Sequence, residues 1–130
     1  MPTIHEPTAV TAEMKDAKKD YLDRHTPRVI APARVAKGES FDVTVRMGSE
    51  YVHPDLPEHY IQSLQLYRGE KLLGGATYAP GANSAGRETP SGFQQATFRI
   101  ALDANATLSA MSYCTMHGIW TSAAVVVEVE

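Results

Sequence analysis

Strict alternation of apolar and polar residues, in three separate stretches, most restricts the folds open to this sequence. "SFDVTVR" sets Phe41, Val43 and Val45 on one face and Asp42, Thr44 and Arg46 on the other. "ATFRI" repeats the pattern with Ala96, Phe98 and Ile100 against Thr97 and Arg99. "AAVVVEVE" places Ala123, Val125, Val127 and Val129 together at the end of the chain. A period of two is the signature of strands with one buried face, and a helix cannot use it. Further strand candidates are "RVIAPAR", "YIQSLQLYR", "KLLGGATY" and "ATLSAMSYC". Pro32 makes the first of these an edge or irregular strand. Turn signals separate the candidates, and "RGE" reads as a hairpin turn. About seven short antiparallel strands so spaced predict an all-β sandwich. The stretch from Pro80 to Gly92 is expected to be a long loop.

One segment has a different texture. From Thr11 to about Leu22 the pattern is helical, with Thr11 as N-cap, Glu13 in the first turn, and Met14, Ala17 and Tyr21 on one face. A chain of 130 residues with 43% hydrophobic residues is expected to form one folded core. A formal charge of −3 and no basic patch with interleaved aromatics argue against nucleic acid. No apolar run approaches the roughly 20 residues that span a bilayer. No secretion signal is recognisable, and a single cysteine cannot close an internal disulfide. A reducing, cytoplasmic location is therefore expected.

That lone cysteine lies in "YCTMHGIW", three positions before His117. His53 and His59 bracket "HPDLPEH", where Pro54 and Pro57 forbid a regular helix or central strand. His25 stands just before Thr26-Pro27. Singly, each has an ordinary explanation: a loop imidazole at the surface, a small buried thiol. Jointly, C-x-x-H, H-P-x4-H and a third histidine beside a proline point to a metal. A structural zinc site closes with four ligands, whereas four imidazoles and one thiolate suit a five-ligand centre with an open position. Imidazole-rich coordination with one thiolate favours iron or copper over zinc. A blue-copper site would leave two histidines unused, so iron is the better choice.

These residues resemble the superoxide reductases of the neelaredoxin and desulfoferrodoxin group. "HPDLPEHYI" is similar to that family's histidine-pair loop, "CTMHGIW" to its cysteine-histidine turn, and "APARVAKGESFDVTVRMG" to its first strand pair. The resemblance runs from about His25 to the C-terminus. It implies an immunoglobulin-like antiparallel β-sandwich over residues 25–130. Residues 1–24 would be an N-terminal extension with a short helix and an active-site loop. With one cysteine, the chain resembles the one-iron form. The resemblance further implies His25, His53, His59 and His117 as equatorial iron ligands and Cys114 as axial ligand. His117 would bind through Nδ1 and the other three through Nε2. Superoxide is the implied substrate, rubredoxin or a similar small protein the electron donor, and a homo-oligomer (tetramer or dimer) the assembly. His5 matches no motif position and reads as a surface residue. Trp120 and Tyr113 are expected to pack around the site.

The match departs from the family at one place. The family usually carries Glu-Lys directly before its first histidine ligand, and this chain has Asp23 and Arg24 there. Asp23 would stand where the family's glutamate closes the sixth position, although it is one methylene shorter. Arg24 would attract superoxide and orient water, but it keeps its proton at any working pH. Two other functions fit the same residues: an immunoglobulin-like metal-binding module without turnover, and a superoxide dismutase.

Overall fold

The computed structural model describes residues 1–81 and 92–130. Among them are one helix, α1 (Asp16–His25), and ten strands: β1 (Ile4–His5), β2 (Pro27–Ile30), β3 (Arg34–Val35), β4 (Ser40–Met47), β5 (Ile61–Arg68), β6 (Lys71–Thr77), β7 (Gln95–Ala101), β8 (Ala106–Cys114), β9 (Gly118–Thr121) and β10 (Val125–Val129). They form two sheets. The smaller has the order β2-β4-β7. The larger is built around β8, which pairs with β5 on one side and with β9 and β10 on the other. The expected mostly-β sandwich with a short N-terminal helix is what forms. None of its described helices is long and apolar enough to cross a membrane.

The alternating stretches supply the core as their period requires. Val43 and Val45 of β4 and Val127 of β10 are fully buried, together with Leu64 and Leu66 of β5 and Leu108 of β8. Burial of a Val or Leu side chain contributes about 1.5–3 kcal/mol, so these side chains fix which face of each strand turns inward. "RVIAPAR" is broken, as its proline demands: β2 stops at Ile30, and β3 resumes at Arg34 against β10. The "RGE" hairpin joins β5 to β6. The long loop expected between Pro80 and Gly92 lies, from 82 to 91, outside the described residues.

One expectation needs correction. The helix neither begins at Thr11 nor ends near Leu22. Residues Thr11 to Met14 make only a turn, Lys15 is extended at φ −65° and ψ 148°, and α1 then continues through His25. A division between residues 24 and 25 thus falls inside its last turn. The strands at "IH" and "GIWT" had no counterpart in the sequence pattern. β1 and β9 pair in parallel, an arrangement unlike the antiparallel body of the sheet.

Candidate metal centre

Three local structures converge at one end of the sandwich. The last turn of α1 carries His25, which is 1% exposed. The "HPDLPEH" segment folds into a tight turn in which Leu56 and His59 exchange backbone hydrogen bonds at 2.9 and 3.0 Å. Pro57 sits at the second position of that turn, where its fixed φ is already correct. The third element is the β8–β9 hairpin, whose register pairs Cys114 with Gly118 across Thr115, Met116 and His117. Gly118 has φ +86°, a conformation that L side chains rarely adopt. The hairpin is tied to the histidine turn by Thr115 N–H to the Tyr60 carbonyl and Tyr60 N–H to Thr115 Oγ1.

His25, His53, His59 and Cys114 each bring a ligand atom to within 4.8 Å of the others. The His117 Nδ1 atom lies 3.1 Å from His25 Nε2 and 3.7 Å from Cys114 Sγ. Tautomers follow from the outer contacts. His25 Nδ1 donates to the Tyr21 carbonyl at 2.7 Å, and His53 Nδ1 donates to the Pro54 carbonyl at 2.6 Å. With both protons committed there, the two neutral rings present bare Nε2 lone pairs to each other at 3.3 Å. His53 Nε2 is also 3.4 Å from Cys114 Sγ. Among the described residues, the buried His59 Nε2 has no hydrogen-bond partner. Lone pairs facing one another, beside an orphaned buried nitrogen and a thiol, repel or waste hydrogen-bonding capacity unless a cation lies between them. Donors about 2.1 Å from a shared ion and at right angles to each other lie about 3.0 Å apart, close to the spacings found. The donor set therefore fits a metal ion.

The protonation states agree with that role. Burial lowers the His25 imidazole to about 4, with His117, His59 and Arg24 adding to the effect against the pull of the Tyr21 carbonyl. His53 falls to about 3, through burial first and the neighbouring His25 second. His59 is lowered by burial, then by His117 and Arg24. All three rings are thus neutral, the form that ligates, at ordinary pH. Burial pushes the Cys114 thiol up, while the backbone N–H groups of Met116 and His117 draw it down.

Neutral buried imidazoles carry a cost in acid. Below about pH 6.5 the unfolded chain takes up protons that folded His25 and His53 cannot, so stability falls as the pH drops from there toward 4. The metal-free protein is expected to lose roughly 10 °C or more of melting temperature over that interval. A flat profile from pH 6.5 to 4, followed by circular dichroism, would contradict the neutral-ring assignment.

The remaining expected residues are placed as follows. Arg24 is part-buried and forked onto Asp20 one turn earlier, with Nε 2.7 Å from Oδ1 and a second contact to Oδ2. Its charge still reaches the histidines, since it contributes to the lowering of all three. Asp23 requires a correction. Its carboxylate is buried against the turn after β4, where it accepts from the backbone N–H groups of Ser49, Glu50 and Tyr51, from Ser49 Oγ, and from Arg28. Both oxygens are committed to that turn and neither is free to close a metal position. Trp120 packs on His25, with stacked rings 4.9 Å apart, but Tyr113 points outward. His5, expected at the surface, is half-buried and stacks on Trp120. Tyr21 was also missed as part of the site. Its i, i+4 spacing from His25 was the available signal, because such residues share a helix face.

A two-sheet sandwich with three histidines and one cysteine gathered so that they fit a metal ion defines a class of small metalloproteins. The chain belongs to the desulfoferrodoxin family, whose pattern it matches over residues 11–123. It is 33% identical over 107 residues to a superoxide reductase of Pyrococcus furiosus, covering 75% of this chain and 84% of that protein. Neelaredoxin of Megalodesulfovibrio gigas is 30% identical over 112 residues, covering 77% of this chain and 84% of the other. The solved structure of the superoxide reductase (neelaredoxin) from Ignicoccus hospitalis superposes with a TM-score of 0.67 at 30% identity, over 92% of this chain and 90% of that one.

Proposed function

We propose that this protein reduces superoxide to hydrogen peroxide at a single iron held by His25, His53, His59, His117 and Cys114. The observation that carries this reading is the set of inward-facing lone pairs on His25 and His53, held by carbonyls behind them and gathered with the unpartnered His59 Nε2 at the Cys114 sulfur. Iron bound there supplies a one-electron ferrous/ferric couple and Lewis acidity. The chain's own residues do the rest. The carbonyls of Tyr21 and Pro54 orient two rings and raise their basicity. The Met116 and His117 N–H groups temper the charge on the sulfur. Arg24 draws in the anion and orients water, and the protons for peroxide come from solvent. A small donor such as rubredoxin returns the electron, and the chain works as a cytoplasmic homo-oligomer, a dimer or tetramer. The donor and the assembly rest on the resemblance to the family, and the cytoplasmic location on the single cysteine.

The test is rapid mixing of the ferrous protein with superoxide in a single turnover. Oxidation with one peroxide formed per iron and no oxygen supports the reading. Release of oxygen would make the protein a dismutase, and no oxidation would make it a carrier.

The same experiment measures Arg24. The chain has net charge −3, so superoxide needs local positive charge to guide it. Asp20 offsets part of that charge, which places the effect at the low end for a focused field. Arg24→Ala is expected to slow the encounter by about tenfold at low salt, less as ionic strength rises. Arg24→Lys should restore much of the rate. An unchanged encounter rate in Arg24→Ala would pass the guiding role to Lys15, Lys18 and Lys19.

A further inference from the structure

The N-terminal strand closes over the back of the β8–β9 hairpin. Its residues Ile4 and His5 lie beside Ile119 and Trp120 in parallel register. The Ile119 N–H donates to the Thr3 carbonyl at 2.8 Å, and Thr121 Oγ1 donates to the His5 carbonyl at 2.8 Å. The approach is so close that a Cβ on Gly118 would stand 2.5 Å from the Thr3 oxygen. Two donors then meet on one acceptor. His5 Nε2 lies 2.9 Å and Trp120 Nε1 3.2 Å from the His117 carbonyl oxygen. The two donor rings are themselves stacked, with centroids 3.9 Å apart and planes 13° apart.

We propose that His5 is a positioning residue for the metal centre: through its Nε2–H bond to the His117 carbonyl it clamps the hairpin turn from which the His117 ring reaches the site. The clamp has a physical purpose. The peptide after His117 leads into Gly118, the least restrained residue of the turn, and a rotation there would swing the imidazole away from the other donors. A carbonyl held by two N–H groups cannot rotate without breaking both bonds. His5 sits 112 residues from His117 in sequence, so the arm staples a distant segment to a turn that its own hairpin and the Thr115–Tyr60 bonds also hold. The inference rests on His117 being a ligand.

Separating the donor from the ring tests it. His5→Phe keeps the stack on Trp120 and loses the N–H. His5→Gln keeps an N–H at about the same reach. The readouts are iron loss from the loaded protein to an excess of a chelator, the position of its visible thiolate-to-iron band, and the melting temperature of the metal-free protein. His5→Phe is expected to lose iron about fivefold faster, the effect of roughly one hydrogen bond, with a shifted band and a metal-free melting temperature lowered by no more than about 5 °C. His5→Gln should stay within about twofold of the unaltered protein, since the donor is kept. Wild-type iron loss in His5→Phe, or equal acceleration in both variants, overturns the clamp. Should His5→Phe fail to fold, His5→Ala takes its place, and wild-type iron loss there is equally fatal. His117→Ala serves as the control for the underlying ligand assignment. If it keeps iron as the unaltered protein does, that assignment falls and the clamp with it. If it loses iron while the His5 variants do not, the clamp alone is wrong.

Discussion

Cys114→Ser is expected to abolish the visible thiolate-to-iron band of the oxidised, iron-loaded protein and to weaken iron retention by more than about tenfold. The thiol is 0% exposed and lies 3.4 Å from His53 Nε2, within the cluster of imidazoles. A soft sulfur donor gives up its proton to a cation readily, whereas a serine hydroxyl does so far less and supplies no comparable charge-transfer transition. The substitution nearly conserves volume, and the Met116 and His117 N–H groups that face the sulfur can donate to an oxygen instead. The metal-free variant should therefore fold, with a loss of about 1–3 kcal/mol for a buried hydroxyl. Absorption spectra and thermal melts of the same preparations separate the two effects. An unchanged visible spectrum would remove Cys114 from the centre and undo the ligand set as a whole.

The gathering of His25, His53, His59 and Cys114 was legible because those residue types are rare at such spacings. One thiol and four imidazoles stand beside prolines and glycine, where the backbone has few choices. Their convergence needed only the three connecting turns to form. The long strands were legible for a similar reason: β4, β7 and β10 each run for several residues with one buried face. β9 was not, because "GIWT" is too short to display a period, and β1 exists only through its contact with β9. That same contact is what removes His5 from the surface. Asp23 was misplaced by a question of angle. If the helix stopped at Leu22, Asp23 and His25 could point together. Because α1 runs through His25, the two positions are about 200° apart around the axis and face opposite ways. Tyr21 and His25, four apart, share the face that meets the metal centre. Where a helix ends therefore decides which neighbour of His25 shares its site.

Asp23→Ala is expected to destabilise the protein by about 3–5 kcal/mol, the scale for stripping a buried carboxylate from its donors. That corresponds to a fall in melting temperature of roughly 10–20 °C for a domain of this size. Asp23 is 6% exposed, and without it the N–H groups of Ser49, Glu50 and Tyr51 lose their shared acceptor. The turn has no easy alternative shape. Gly48 holds φ +77°, and a Cβ there would stand 2.6 Å from the Tyr51 carbonyl oxygen. Arg28 is about half-exposed and would simply return to water, so it adds little to the loss. The pH dependence has a definite sign. Burial alone would raise the carboxyl, but the bonds from Glu50, Tyr51 and Ser49 outweigh it and hold the group below the usual carboxylate range. Its stabilisation is therefore complete above the unfolded value of about 3.9 and lost as the pH falls below it. This window lies beneath the one set by the histidines. Asp23→Asn, which cannot ionise, should lack that acid-dependent part while keeping one carbonyl acceptor, and so should be less damaged than alanine. Its iron-loaded form should show the visible band at an unaltered position, because the carboxylate faces the turn after β4. A shifted band in Asp23→Asn, with a melting temperature within about 2 °C of the unaltered protein, would put the side chain back at the metal and reverse the assignment.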